Sequence, residues 1–188
     1  MKKIFILLLT AILSIAFTSC ENDPIDEIPV KYPKLIFPEP FTVWGGSVSD
    51  VITFMNSFNL TTRDTTPGNV TLVDGTVVQK YFKIYSGSNP YDENNSKIVY
   101  MYCFDNRDSG LKAVRVELLE YTQFKLDEVI IQFKNSGYHY DGLVNSKYYL
   151  FSNDNTTIKC YLAEHAFVFS KKNDADEIAN FKGANTTN

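Results

Sequence analysis

Ile98-Val99-Tyr100-Met101-Tyr102-Cys103-Phe104 is apolar throughout, and the polar stretch Asp105-Asn106-Arg107-Asp108-Ser109-Gly110 separates it from Leu111-Lys112-Ala113-Val114-Arg115-Val116-Glu117-Leu118-Leu119. A run with no polar face has no side to give to water, so it is expected as a central strand. The second run alternates, with Val114, Val116 and Leu118 on one side and Arg115 and Glu117 on the other, which is the pattern of a strand with one face in a core. A tight polar turn between the two makes them an antiparallel pair in the middle of a sheet.

Working outward toward the N-terminus, Val70-Thr71-Leu72-Val73 and the run Val77 to Tyr85 are joined through Asp74-Gly75, a strong hairpin signal. Asn59 to Asn69 and Gly87 to Lys97 are rich in turn residues and are expected as loops. Ahead of them, Ser47 with Asp50 three residues later forms an acidic variant of the capping box. Val48, Val51, Ile52, Met55 and Phe58 then recur at helical spacing, so a helix is predicted over about Ser47–Phe58.

Toward the C-terminus the order starts again. Leu126 to Ser136 reads as a helix stopped by Gly137. Asp50-Val51-Ile52 aligns with Glu128-Val129-Ile130, and Asn56-Ser57 aligns with Asn135-Ser136 after one insertion. Tyr100 to Asn106 aligns with Tyr149 to Asn155, and Ile158 to Ser170 is expected as one closing apolar strand. The fold class is therefore α+β: an antiparallel sheet backed by two helices, read as a tandem α-β-β repeat with an extra hairpin in the first half. The α+β domain is placed at 41–170, with halves 41–120 and 121–170. The tail 171–188 is polar, with a short helix allowed over Ala175–Phe181.

The first residues carry a different message. Lys2 and Lys3 precede the apolar run Ile4 to Phe17, and Thr18-Ser19-Cys20 closes it with small residues. This is the pattern of a bacterial secretion signal over 1–19. The apolar run is too short for the ~20 residues a transmembrane helix needs. Residues 20–40 repeat proline at Pro24, Pro29, Pro33, Pro38 and Pro40, which reads as an extended tether. Its last part, Leu35-Ile36-Phe37, is placed to dock on the domain.

The tetrapeptide Phe17-Thr18-Ser19-Cys20 followed by Glu21-Asn22-Asp23 resembles the lipobox and acidic export signal of Bacteroides-type outer-membrane lipoproteins. The resemblance implies a signal peptide removed before Cys20, acylation (palmitate-type) of Cys20, and an outer-membrane, cell-surface location. Asp64-Thr65-Thr66 resembles the protein O-glycosylation acceptor of the same group, which marks Thr65. The layout running from Trp44-Gly45-Gly46-Ser47 into Asp50-Val51, with the strand pair around Tyr100 to Leu118, resembles the tandem helix-plus-sheet lipoproteins of that group. It is more distantly similar to β-lactamase inhibitor proteins. That likeness implies a concave sheet suited to binding.

Composition narrows the chemistry. At 44% apolar and 14% aromatic residues the chain can build a core, and 18 basic against 22 acidic residues leave a net charge of −4. No basic patch exists to neutralise phosphates, so nucleic acid is not an expected partner. Cys103 and Cys160 lie in strand-like apolar runs and read either as two buried small hydrophobes or, in an exported protein, as a possible disulfide. His139 and His165 have no ligand spacing around them, so no metal is expected. Asp105 to Gly110 has Arg107 where a calcium loop needs an oxygen ligand. Asp92 to Ser96 reads as a solvated loop. No Gly-x-Ser-x-Gly, phosphate loop or dinucleotide fingerprint is present, so no cofactor is expected.

Two functions fit these features. The first is a non-catalytic, membrane-anchored binding module for a protein or glycan ligand, with Tyr138, Tyr140 and Tyr149 as candidate contact residues because tyrosine joins a large apolar body to a polar tip. The second is a small secreted hydrolase acting on glycan or envelope polymers through acidic residues that carry no local motif.

Overall fold

The computed structural model of the protein describes residues 36–119, 125–174 and 177–180. Cys20, the leader and the tether up to residue 35 lie outside the described residues. Two α-helices and ten strands are described: α1 (Val48–Met55), β1 (Thr61–Thr62), β2 (Thr66–Leu72), β3 (Val77–Ser88), β4 (Lys97–Phe104), β5 (Leu111–Leu119), α2 (Leu126–Asn135), β6 (His139–Val144), β7 (Tyr148–Ser152), β8 (Thr156–Tyr161), β9 (Ala166–Lys171) and β10 (Ile178–Asn180). All strand pairs are antiparallel, in the order β10-β2-β3-β4-β5-β9-β8-β7-β6, with β1 also pairing with β3.

The apolar run Ile98 to Phe104 lies in β4, inside the sheet between β3 and β5. Ile98, Tyr100, Tyr102 and Phe104 point to one face, while Met101 and Cys103 point to the other. The first face carries the larger core. Val48, Val51 and Met55 of α1 and Val129 and Phe133 of α2 belong to this one core, so both helices back the same side of one sheet.

Each helix starts and stops for a local reason. At α1 the Ser47 hydroxyl accepts from the Asp50 amide while the Asp50 carboxylate accepts from the Ser47 amide, closing both halves of a capping box. At α2 the chain leaves through Gly137 at φ 85°. The Tyr138 amide bonds to the Phe133 carbonyl and the Gly137 amide to the Lys134 carbonyl, the double closure of a Schellman motif.

Three expectations need correction. The unit of the sheet is not α-β-β: each helix is followed by four antiparallel strands (β1 and β2 being one interrupted strand), so β4 and β7, aligned from sequence, hold different places in the two meanders. Ile158 to Ser170 is two strands, because Leu162–Glu164 makes a 3-10 turn and His165 adopts a left-handed φ of 49°. Part of the expected loop 59–69 is strand, at Thr61–Thr62 and from Thr66 onward. Phe37, by contrast, docks as expected: it is 1% exposed and packs on Phe133, Phe167 and Phe169.

The C-terminal part belongs to the second face. Ile178 pairs with Leu72 of β2 and is buried with Phe82, Cys103, Ala113 and Val168, so this stretch of the polar tail is a strand rather than a helix or a loose end. The neighbouring Glu177 forms an ion pair with Lys159 of β8. In a flat sheet β2 and β8 would stand ~24 Å apart at the usual strand spacing. The sheet therefore curls around this second, smaller core.

Candidate functional site

The second face is closed by ion pairs. Lys80 pairs with Asp105, Lys112 with Asp174 at 3.2 Å, Arg115 with Glu164 at 2.9 Å and with Glu117 at 2.5 Å, and Lys159 with Glu177. Burial opposes the charge on the buried Arg115, but the hydrogen bonds its guanidinium donates to the Glu164 and Glu117 carboxylates outweigh that and raise its pKa above the ordinary arginine value. These charges are matched to one another, which leaves them little chemistry for a ligand.

The three candidate tyrosines do not form a surface. Tyr138 is 5% exposed because it follows the Gly137 cap of α2, where the Schellman motif turns the next side chain back onto the helix, and its ring meets Phe133 edge-on at 5.7 Å. Burial pushes its hydroxyl well above the ordinary tyrosine range, and that hydroxyl donates to Glu39 at 2.7 Å. Tyr140 is half-buried on Phe151, with ring centroids 5.2 Å apart, and Tyr149 packs half-buried on the same core. A contact site built on Tyr138 is thus overturned, and the other two tyrosines line the core's rim.

Cys103 and Cys160 are free, buried thiols. They point to opposite faces of the sheet, so the disulfide alternative fails on geometry. Burial pushes both thiols up to about 12, which keeps them protonated and non-nucleophilic at neutral pH. Thr65 is half-buried in the break between β1 and β2, with Asp64 and Thr66 exposed on either side.

Other polar clusters are explained locally. The Asp92 carboxylate accepts from the Asn94 amide at 2.9 Å and the Ser96 amide at 3.2 Å, so this loop closes on itself, and the bonds hold the carboxyl below its ordinary value. On β6 and β7, Asp141 lies between His139 Nδ1 at 2.9 Å and the Ser152 hydroxyl at 2.7 Å. The serine hydroxyl donates to the carboxylate rather than to the imidazole, the reverse of the order a nucleophilic triad needs.

An open groove of about 440 Å³ lies at one end of the sheet. Three segments distant in sequence build it: Thr42, Val43 and Trp44 from the loop before α1, Asp154 and Asn155 from the β7–β8 turn, and Lys171 and Lys172 from the end of β9. Trp44 is held from below, with its indole N–H donating to the buried Thr156 hydroxyl at 3.2 Å. Its loop is pinned to the β4–β5 turn by bonds from the Gly45 amide to the Leu111 carbonyl and from the Gly110 and Leu111 amides to the Gly46 carbonyl. Gly46 admits no side chain, because a Cβ there would stand 2.8 Å from the Val43 carbonyl oxygen. The aromatic ring is therefore presented on a fixed platform.

Around that platform the polar groups are uncommitted. Among the described residues the Asp154 carboxylate, the Asn155 side-chain amide and the Lys171 ammonium have no hydrogen-bond or ion-pair partner. The Lys172 ammonium donates to the Asn153 carbonyl at 3.0 Å. Sequence reading treated Trp44 as part of the helix lead-in. The available signal was that it is the only tryptophan of the chain.

This is an antiparallel sheet with two helices on one face and a shallow polar-aromatic groove at its end. Comparison with protein-family models, curated proteins and solved structures yields no match for the chain.

Proposed function

We propose that this protein is a membrane-anchored, cell-surface lipoprotein whose domain is a non-catalytic binding module, and that its ligand is a glycan held in the Trp44 groove. The observation that carries the reading is the contrast between the two faces. The charges on the curled face neutralise one another, while those around Trp44 face water beside a clamped indole ring. Pre-formed pockets of a few hundred Å³ with a fixed aromatic and a few polar groups are the usual form of small-ligand sites. We also read the two halves as copies of one helix-plus-strands unit, in which Val51 and Val129 fill equivalent core positions. In that reading the groove lies where the two copies meet.

The test is an immobilised glycan array probed with the full chain and with Trp44→Ala. A buried aromatic anchor contributes about 2 kcal/mol, so the variant is expected to bind its ligands roughly thirtyfold more weakly. If wild type and variant retain the same glycans equally, the groove is not the site.

A further inference from the structure

Resting on the reading of the groove as a glycan site, the geometry points to a carboxylated sugar, a uronic-acid-type oligosaccharide, as the class of ligand. Two observations carry this beyond glycan binding in general. The first is charge. Lys171 and Lys172 contribute two positive charges against the single negative charge of Asp154, so the groove is locally cationic on a chain whose net charge is −4. Neither lysine has an ion-pair partner among the described residues, whereas Lys80, Lys112, Arg115 and Lys159 all have one. An anionic ligand meets a positive charge there without displacing an existing salt bridge.

The second observation is the backbone. The strands beneath the groove are β8, paired with β7 and β9, and β9, paired with β5 and β8. No free strand edge is offered, so an extended peptide finds no ladder to join. Recognition there falls to side chains alone. A ring with hydroxyls on its rim and an apolar face suits an indole platform flanked by Asp154, Asn155 and Thr42, and its carboxylate suits Lys171 and Lys172.

Because Trp44 is the only tryptophan, its emission reports on the groove directly. The full chain is titrated with tetragalacturonate and, separately, with its fully methyl-esterified form, with calorimetry used for the variants. Saturable quenching or shift by tetragalacturonate is expected, with affinity lower for the neutral ester by about tenfold or more, the loss of one charge-assisted bond. Lys171→Ala combined with Lys172→Ala should remove that preference while leaving far-ultraviolet circular dichroism unchanged. Equal affinity for acid and ester, or a preference that survives the double alanine variant, overturns the carboxylate assignment and leaves the glycan reading standing. If neither compound binds and the glycan array is also blank, both fail.

Discussion

Asp50 shows how one carboxylate fixes the end of a loop. Its Oδ2 accepts from the Ser47 hydroxyl at 2.7 Å and the Ser47 amide at 2.9 Å, and it stands at the exit of the loop that carries Trp44. The Ser47 hydrogen bonds, side chain first and then backbone, hold its carboxyl below the ordinary 3.8. A carboxyl whose folded pKa is depressed binds its proton more weakly in the folded than in the unfolded state. Its contribution is therefore complete above the unfolded value and is lost as pH falls through the lower folded one. Asp50→Asn is expected to lower Tm at pH 7 and to flatten the loss of Tm below about pH 3.8, as read by scanning calorimetry from the difference between the two pH profiles. Asp74 and Asp92 are depressed by their own turn hydrogen bonds and titrate alike in both proteins, so that difference isolates Asp50. An unchanged acid limb in the variant would show that the ionised Asp50 carboxylate contributes nothing to stability.

Among the elements, the segment Ile36–Phe41 is the least conventional, because it belongs to no helix or strand yet crosses the main core. Side chains from several elements hold it. The Ile36 amide donates to Gln132 Oε1 at 2.9 Å, Asn89 Nδ2 donates to the Ile36 carbonyl at 2.6 Å, and the Tyr100 hydroxyl donates to the Pro38 carbonyl at 2.7 Å. The Phe41 amide in turn donates to the Tyr102 hydroxyl at 3.2 Å. Pro38 and Pro40 bring no amide that would need a partner, which suits a buried strap. Phe37→Ala is expected to destabilise the fold by about 3–5 kcal/mol in urea denaturation, the usual range for emptying an aromatic core site. A loss near zero would mean that the strap only rests on the domain.

The elements also differ in how far the sequence announced them. β4, β5, the β2–β3 hairpin and both helices were legible because each carries its own period and its own punctuation, such as Asp74-Gly75 or Gly137. The β8–β9 turn was hidden because His165 takes the left-handed conformation with no glycine or asparagine to signal it. Ile178 was illegible as a core residue because its partner Leu72 is remote in sequence, whereas Phe37 was expected to dock and does so on Phe133. The candidate site was legible only as an isolated tryptophan. Its seven lining residues come from three segments that only the folded chain brings together.

At the scale of the whole molecule, the two halves of the domain are interlocked. Phe37, from the N-terminal side, packs between residues of α2 and β9, and Trp44 donates to Thr156 of β8. The fifteen residues from Glu21 to Leu35 then separate the domain from Cys20. Fully extended, they reach no more than ~50 Å, so under the proposed acylation the domain stays close to the bilayer with Phe37 bearing the tether. Among the described residues no helix is long and apolar enough to cross a membrane, and attachment in this reading rests on the lipid alone. A single acyl chain holds a protein only marginally, whereas two or more hold it firmly. Cys20→Ala is therefore expected to abolish palmitate labelling and either to release the protein into the detergent-free soluble fraction or to leave its leader unprocessed. Retention of the alanine variant on membranes at the wild-type level, with the leader removed, would mean that some other contact holds the protein there.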